Sequence, residues 1–165
     1  MDEVIRDRDE VVEPAELLSR VSYRIRLIQI AAYKSFEKVV TGLGTAPRYY
    51  GLLKIVEANP GIPQARLAEV IFLDRSSLVP ILETLTEEGW VERRATERDR
   101  RVRRVYLTPQ GKTRLALLER EVARHEEMMT RGMSETEKAR LLASFDKIDA
   151  NLRDAFAAPG MRKTP

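Results

Sequence analysis

The strongest constraint on the fold is a run of positive charge set between two short segments with the composition of β-strands. Five arginines occur in the seven residues from Arg98 to Arg104. The segments WVERR and RRVYL bracket the run, and their β-branched and aromatic residues are typical of strands. The pattern predicts a two-stranded hairpin with a basic tip.

Two helix-like segments come just before this hairpin. PQARLAEVIF begins at a proline, and RSSLVPILETLTEEG follows Asp74, a residue type that favours helix N-caps. Leu78, Leu82 and Leu85 form an apolar stripe in the second segment, and Gly89 is predicted to end it. Two short helices joined by a tight turn and followed by a hairpin predict a winged helix-turn-helix.

Longer helices are predicted on both sides of this region. Apolar residues at helical spacing predict one helix over residues 14–40, and Thr45 is predicted to cap the next. A fifth helix is predicted to begin at Thr108, and a sixth with a capping box at Ser134. The first, fifth and sixth helices carry more apolar surface than a small winged lobe can cover, which predicts dimerisation through them.

The sequence therefore predicts a mainly α-helical fold with a small two- or three-stranded β wing, dimerised through its N- and C-terminal helices. The predicted organisation is an acidic arm at 1–13, dimerisation helices at 14–44 and 109–158, a winged helix-turn-helix at 45–108 and a tail at 159–165.

The composition excludes several classes of protein. The chain has no cysteine, which excludes disulfides, thiol catalysis and thiol-based sensing, and its single histidine, His125, excludes a histidine-rich metal site. No apolar run is long enough to span a membrane and the acidic start does not resemble a signal peptide, so a cytoplasmic protein is expected. The sequence offers no glycine-rich phosphate loop, metal-ligand cluster or nucleophile–base pair, so we predict neither an enzyme nor a bound cofactor.

Charge is distributed unevenly along the chain. Residues 1–13 contain six acids and two arginines, a net charge of −4, whereas residues 92–104 contain seven arginines and three acids, a net charge of +4. Such asymmetry favours a polyanion as the partner. The alternative is that the basic run is an ordinary solvated face.

The predicted fold makes double-stranded DNA the expected polyanion. A helix fits the major groove, and a basic hairpin reaches the neighbouring backbone or minor groove. The predicted DNA-contacting residues lie at the start of the second short helix and on the hairpin: Arg75, Ser76, Ser77, Pro80, Arg98, Asp99, Arg100, Arg101 and Arg103. In the alternative interpretation Ser76 and Ser77 cap the helix and Arg75 is solvated.

The sequence resembles the MarR family (multiple antibiotic resistance regulators) from about Leu17 to Phe156. The most specific elements are LAEVIFLDRSSLVPILETLTEEGWVERR and ERDRRVRRVYLTPQGK, in the family's order and spacing. The resemblance implies that Asp99 and Arg101 match the family's wing-tip Asp-x-Arg, in which the arginine enters the minor groove and the aspartate helps to hold it. It also implies a homodimer and release from DNA by small aromatic or lipophilic ligands.

Two positions depart from the usual pattern. Phe72 stands where many helix-turn-helix sequences have glycine, and a positive φ at this position would strain it. Pro80 lies inside the predicted recognition helix and removes one backbone donor, which predicts a local kink.

Aromatic and basic residues of the first two helices are candidates for an effector pocket: Tyr23, Arg26, Tyr33, Phe36, Arg48, Tyr49 and Tyr50. Aromatic walls offer stacking area and hydroxyl groups, and arginines can hold a carboxylate or phosphate. The expected effector is an aromatic acid or its coenzyme A thioester. Ordinary core packing is the alternative for the rings, and His125 is expected to be a core or interface group.

These interpretations combine into a ligand-responsive transcriptional regulator, with repression as its expected action, that binds a pseudo-palindromic DNA operator as a homodimer. Such a dimer reads half-sites about one helical turn apart, roughly 34–36 Å. The alternative is a winged-helix protein-interaction module whose basic wing docks an acidic partner. Salt-dependent duplex binding with a sequence preference would distinguish the two.

Overall fold

The computed structural model describes residues 13–95 and 102–157 of a chain that divides into two compact units, residues 1–125 and 126–165. The helices are α1 (Ala15–Leu18), α2 (Val21–Val39), a 3-10 helix (Ala46–Tyr49), α3 (Tyr50–Ala58), α4 (Gln64–Val70), α5 (Arg75–Glu87), α6 (Pro109–Met129) and α7 (Glu135–Ala157). The strands are β1 (Ile62–Pro63), β2 (Val91–Ala95) and β3 (Arg103–Leu107). Within the two described ranges, no helix combines the length and apolar character that a membrane span requires.

The helix predicted over residues 14–40 is interrupted near its start. Arg20 has an extended backbone (φ −85°, ψ 118°) and separates α1 from α2. The Ser19 hydroxyl donates to the carbonyl of Glu16 at 2.8 Å, a local bond that competes with helix continuation. The prediction of one continuous helix is therefore wrong at this point, and α2 then runs unbroken to Val39.

A three-stranded antiparallel sheet in the order β1–β3–β2 forms the wing, which confirms the predicted mainly α-helical winged fold. In the β2–β3 pair Val91 lies opposite Leu107, and β1 adds a short pair of Ile62 with Val105. All four of these side chains are buried, so the inner face of the sheet belongs to the core of the first unit.

The helices that flank the turn pack on the same core. The predicted stripe of α5 is buried, with Leu78, Leu82 and Leu85 at most 1% exposed. Leu53 of α3 and Leu67 of α4 are fully buried in the same cluster. Burial of this stripe fixes which face of α5 remains in solvent.

The start of α6 is joined to the residues that follow α5. The Thr108 hydroxyl accepts the N–H of Gly111 at 2.8 Å and so caps α6, with Pro109 in the first helical position, as predicted. The Thr108 N–H donates to the carbonyl of Trp90 at 3.1 Å, and Trp90 is completely buried. A Cβ on Gly111 would lie only 2.0 Å from the same Trp90 oxygen, so only glycine fits.

In the second unit, α7 begins with the predicted capping box. The Ser134 N–H donates to the carboxylate of Glu137 at 2.8 Å, and the Glu137 N–H donates back to the Ser134 hydroxyl at 3.3 Å. The bonds from Ser134 lower the pKa of Glu137, so its carboxylate stays ionised at neutral pH. α7 is also the longest helix within the described residues.

We expect Gly111→Ala to lower the free energy of unfolding by about 3 kcal/mol, because the added methyl group meets a backbone oxygen that cannot move independently. The matched control is Gly51→Ala in α3, where a Cβ meets no atom within 4 Å. That variant should gain about 0.5–1 kcal/mol from helix propensity. Urea denaturation of both variants measures the difference, and equal stabilities would contradict the close contact at Trp90.

Candidate DNA-binding surface and effector cavity

The turn between α4 and α5 contains the strained phenylalanine that the sequence suggested. Phe72 has a φ of 55°, a left-handed conformation that costs a non-glycine residue about 1–2 kcal/mol. Its N–H donates to the carbonyl of Glu69 at 3.3 Å, and the N–H of Leu73 donates to that of Ala68 at 2.9 Å. These two bonds close the end of α4 in the pattern usually made by glycine, so only four residues separate α4 from α5.

Asp74 caps α5, as predicted. Its Oδ1 accepts the Ser76 hydroxyl at 2.6 Å and the Ser77 N–H at 2.7 Å, and these hydrogen bonds lower the pKa of Asp74 to about 2. The carboxylate is therefore ionised at neutral pH, and its charge favours the helix N-terminus. The alternative in which Ser76 and Ser77 themselves cap the helix is wrong, because both are helical residues that donate to Asp74.

α5 leaves a polar face in solvent. The four predicted contact residues of this helix are all exposed: Arg75, Ser76, Ser77 and Pro80. Ser76, Pro80 and Glu83 lie opposite the buried stripe, and the helix continues through Pro80 as a single element. Sequence reasoning missed Val79, which is 37% exposed, and Glu83, although their spacing from Ser76 could have identified both. On such a face hydroxyls can contact base edges and apolar groups can contact thymine methyls.

The tip of the wing lies outside the described residues. Arg98, Asp99, Arg100 and Arg101 all fall within residues 96–101, so their contacts with DNA stay predictions. Arg103 stands at the start of β3, opposite Ala95, and is exposed.

Two other arginines of the wing are held by the fold. Arg94 lies over the ring of Tyr106, 4.7 Å from its centroid, and pairs with Glu92, which raises the pKa of Arg94. Arg104 donates to the carbonyl of Gly61 at 2.8 Å. The guanidinium of Arg104 therefore joins the wing to the segment before β1.

A cavity of about 290 Å³ lies between the end of α2 and the 3-10 helix. Its lining consists of Tyr33, Glu37, Val40, Gly44, Thr45, Pro47, Arg48 and Tyr49. Three of the seven predicted effector residues, Tyr33, Arg48 and Tyr49, thus share one site. Gly44 and Thr45 also line the cavity, although the sequence did not predict them as pocket residues. Their position in the short segment just before Pro47 could have identified them.

Polar contacts organise this cavity. The Arg48 Nε–H donates to the Tyr33 hydroxyl at 2.8 Å, and its guanidinium lies 4.8 Å from the centroid of the Tyr33 ring. The Tyr33 hydroxyl in turn donates to the carboxylate of Glu37. Burial and the bond to Glu37 raise the pKa of Tyr33, so the phenol remains protonated. The cavity therefore offers one cation, one carboxylate and a hydroxyl close together.

The other four predicted effector residues do not line this cavity. Phe36 is buried in the core of the first unit, which matches the alternative of ordinary packing. Tyr23 donates to Glu13, Arg26 is exposed, and the pKa of the partly buried Tyr50 is raised by desolvation. A role for these four residues in ligand binding stays a prediction.

His125 connects α6 to α2 inside the first unit. Its Nε2 lies 2.6 Å from the hydroxyl of Ser35, and its ring packs 5.0 Å from that of Phe36. Because the Ser35 hydroxyl also lies 2.9 Å from the carbonyl of Ala32 as a donor, it accepts from an Nε2–H. His125 is partly buried, and its contacts are consistent with the expected core or interface group.

A short helix, a tight turn and a capped helix with an exposed polar face, next to a three-stranded wing, define a winged helix-turn-helix DNA-binding protein. The model of the MarR family matches residues 43–102. A putative transcriptional regulatory protein for the hcr operon of Thauera aromatica is 31% identical over 133 residues, which cover 80% of this chain and 80% of that protein. The chain belongs to the MarR family, whose members regulate transcription and are not enzymes.

Solved structures show the same fold. The repressor CouR bound to a 23-mer DNA duplex matches with a TM-score of 0.77 and 26% identity, covering 84% of this chain and 99% of CouR. CouR bound to p-coumaroyl-CoA matches with a TM-score of 0.71 and 24% identity over 84% and 98% of the two chains, a likeness of fold.

We expect Arg101→Ala to weaken operator binding more than Arg103→Ala, because a guanidinium in a narrow minor groove gains more than one at a phosphate. Arg104→Ala should instead lower the unfolding midpoint, because it removes the bond to Gly61. Titrations of labelled duplex at several salt concentrations, with thermal melts of each variant, separate these effects. If Arg101→Ala and Arg103→Ala lose the same affinity, and the dependence of affinity on salt concentration weakens equally in both, Arg101 makes only an ordinary phosphate contact.

Proposed function

We propose that this protein is an effector-responsive repressor that binds a pseudo-palindromic operator as a homodimer. The observation that carries the proposal is the exposed polar face of α5 beside a wing with arginines on β2 and β3. α5 would enter the major groove with Ser76 and Pro80 toward the bases, and the residues of the wing tip would contact the minor groove and backbone. Binding to chromosomal DNA would place its action in the cytoplasm.

Selection of bound duplexes from a random pool tests the DNA-binding part directly. A regulator of this kind should enrich a two-fold symmetric sequence, with an affinity that falls steeply as salt rises. The alternative, a winged-helix module that docks an acidic protein, would enrich no sequence even though its basic wing retains salt-dependent affinity for any duplex. The enriched sequence also supplies the operator for the experiments below.

The apolar surface of the long helices supports a homodimer. In α2, Val21, Ile28 and Val39 are 53–62% exposed, and in α7, Phe145 and Leu152 are 42% and 54% exposed. Side chains of this size left in water at helical spacing favour burial against another chain. The family resemblance makes a second copy of this chain the expected partner.

We expect Phe145→Asp in α7 to shift the protein from dimer to monomer at micromolar concentration, because it puts a charge in the apolar stripe. Phe145 is 42% exposed. The matched control is Lys147→Asp, an exposed polar position two residues further along the same helix. Sedimentation velocity measures the change. A monomeric wild-type protein, or equal behaviour of both variants, would contradict the proposed role of α7.

The cavity favours a small aromatic acid as the effector. Arg48 can hold a carboxylate, Tyr49 and the Tyr33 ring can stack on an aromatic group, and Glu37 can accept from a phenolic hydroxyl. A volume of about 290 Å³ suits such an acid or the acyl part of a coenzyme A thioester, with the nucleotide outside. CouR is known in complex with p-coumaroyl-CoA, but our proposal depends on the cavity's own residues.

We expect Arg48→Ala to weaken binding of the effector at least about tenfold, the value of one charge-assisted hydrogen bond. Ligand-free operator binding should change little. Arg26→Ala removes an exposed arginine of α2 that does not line the cavity, and serves as the control. Isothermal titration with benzoate, 4-hydroxybenzoate and their coenzyme A thioesters measures the affinities. If none of these compounds binds, the aromatic-acid proposal fails; if both variants bind alike, the cavity is not the site.

A further inference from the structure

The C-terminal end of the recognition helix is bound to the wall of the cavity through one side chain. Glu88 is the residue that caps α5, and its carboxylate accepts the backbone N–H of Thr45 at 3.1 and 3.2 Å. The Thr45 hydroxyl donates to the same carboxylate at 3.2 Å. Thr45, predicted to cap the following helix, makes no side-chain cap there, and its donors are directed to Glu88 instead.

The stability of α5 does not explain a carboxylate at this position. The C-terminus of a helix carries a partial negative charge, which a carboxylate opposes. The last turn of α5 contains no basic residue. Carbonyl groups at the end of α5 already have hydrogen-bond donors without the Glu88 side chain. The Gly89 N–H donates to the carbonyl of Thr86, and the Trp90 N–H donates to that of Leu85. The favourable partner of the Glu88 carboxylate is therefore Thr45.

The contact between Glu88 and Thr45 requires the absence of a side chain at Gly44. It has a φ of +60°, and a Cβ on it would lie 2.6 Å from a carboxylate oxygen of Glu88. Gly42, two residues earlier, has a φ of +79°, yet a Cβ there meets nothing within 4 Å. The two glycines thus share the same backbone requirement, but only Gly44 leaves space for Glu88.

The residues that hold Glu88 also line the cavity. Gly44 and Thr45 form part of its wall together with Arg48. An anion bound by Arg48 would approach the Thr45 donors from the cavity, compete with Glu88 for them and repel its carboxylate. Occupancy of the cavity and attachment of Glu88 are therefore mutually unfavourable.

We propose that Glu88 couples the cavity to the recognition helix: it positions the end of α5 for DNA when the cavity is empty, and an anionic ligand releases it. This inference rests on the proposed function and gives its regulation a physical route. Because coupling between two sites is reciprocal, DNA binding also lowers the affinity for the anion. Glu88 contacts neither ligand in this scheme and acts only by positioning α5.

Loss of Glu88 should therefore mimic the ligand-bound state. We expect Glu88→Ala to weaken ligand-free operator binding about tenfold, to strengthen binding of the aromatic acid, and to abolish most of the acid's effect on DNA affinity. Removing a carboxylate near DNA would, by charge alone, strengthen binding. A weakened complex is therefore a signature of lost positioning. The control is Glu87→Ala, which removes the same charge one residue earlier in α5, where the side chain is exposed.

A second pair of variants tests the contact without altering its charge. Gly44→Ala should displace Glu88 and reproduce the weakened ligand-free operator binding of Glu88→Ala. Gly42→Ala imposes comparable backbone strain without a clash, and should bind the operator like the wild type if it remains folded. Hydrogen exchange of the Thr45 amide should accelerate in Glu88→Ala and stay slow in Glu87→Ala.

The complete test measures operator affinity of the full-length wild type and all four variants, with and without benzoate, 4-hydroxybenzoate and their coenzyme A thioesters. Operator affinity of Glu88→Ala equal to that of Glu87→Ala overturns the proposal, as does release of Glu88→Ala by a probe to the same extent as the wild type. A wild type that no probe releases overturns the effector part of the proposed function. In that case a tenfold loss confined to Glu88→Ala and Gly44→Ala still supports the positioning role.

Discussion

The winged lobe depends on the packing of its polypeptide around Trp90. The Trp90 side chain is fully buried, and the guanidinium of Arg114 lies over its ring, 4.0 Å from the ring centroid. The backbone carbonyl of Trp90 accepts the N–H of Thr108. Arg114 also donates to the carbonyl of Glu88 at 2.8 Å, so α6 holds the end of α5 and the start of β2 together. The absence of a side chain at Gly111 allows this approach. These contacts join the end of the recognition helix to the wing and to α6.

The same end of α5 participates in two kinds of contact. On one side it is anchored to α6 by groups in the backbone and by Arg114, a residue that does not line the cavity. On the other side it is attached to the cavity wall through hydrogen bonds between Glu88 and Thr45, both at the protein surface. An anion can compete for bonds of the second kind, because both partners are accessible. In the proposed mechanism the contact that a ligand breaks is therefore adjacent to the one that anchors α5 to α6.

Charge on the wing is divided in a comparable way. Arg94 and Arg104 are engaged by an aromatic ring and a backbone carbonyl, and these contacts stabilise the sheet. Arg103 is exposed at the end of β3 nearest the tip. The fold therefore holds the guanidinium groups of Arg94 and Arg104 in place, and alternation along a strand explains why neighbouring arginines differ in their contacts.

The sequence by itself determined the two helices of the helix-turn-helix, the two longer strands of the wing and their order, because helix caps, apolar periodicity and strand composition act over a few residues. Asp74, Ser134 and the stripe at Leu78 gave correct local structure for this reason. Only the tertiary structure decided that Phe36 is core while Tyr33 and Arg48 share a cavity, and that Thr45 binds Glu88, 43 positions away. Such contacts depend on how distant segments pack, and local patterns carry no information about that packing.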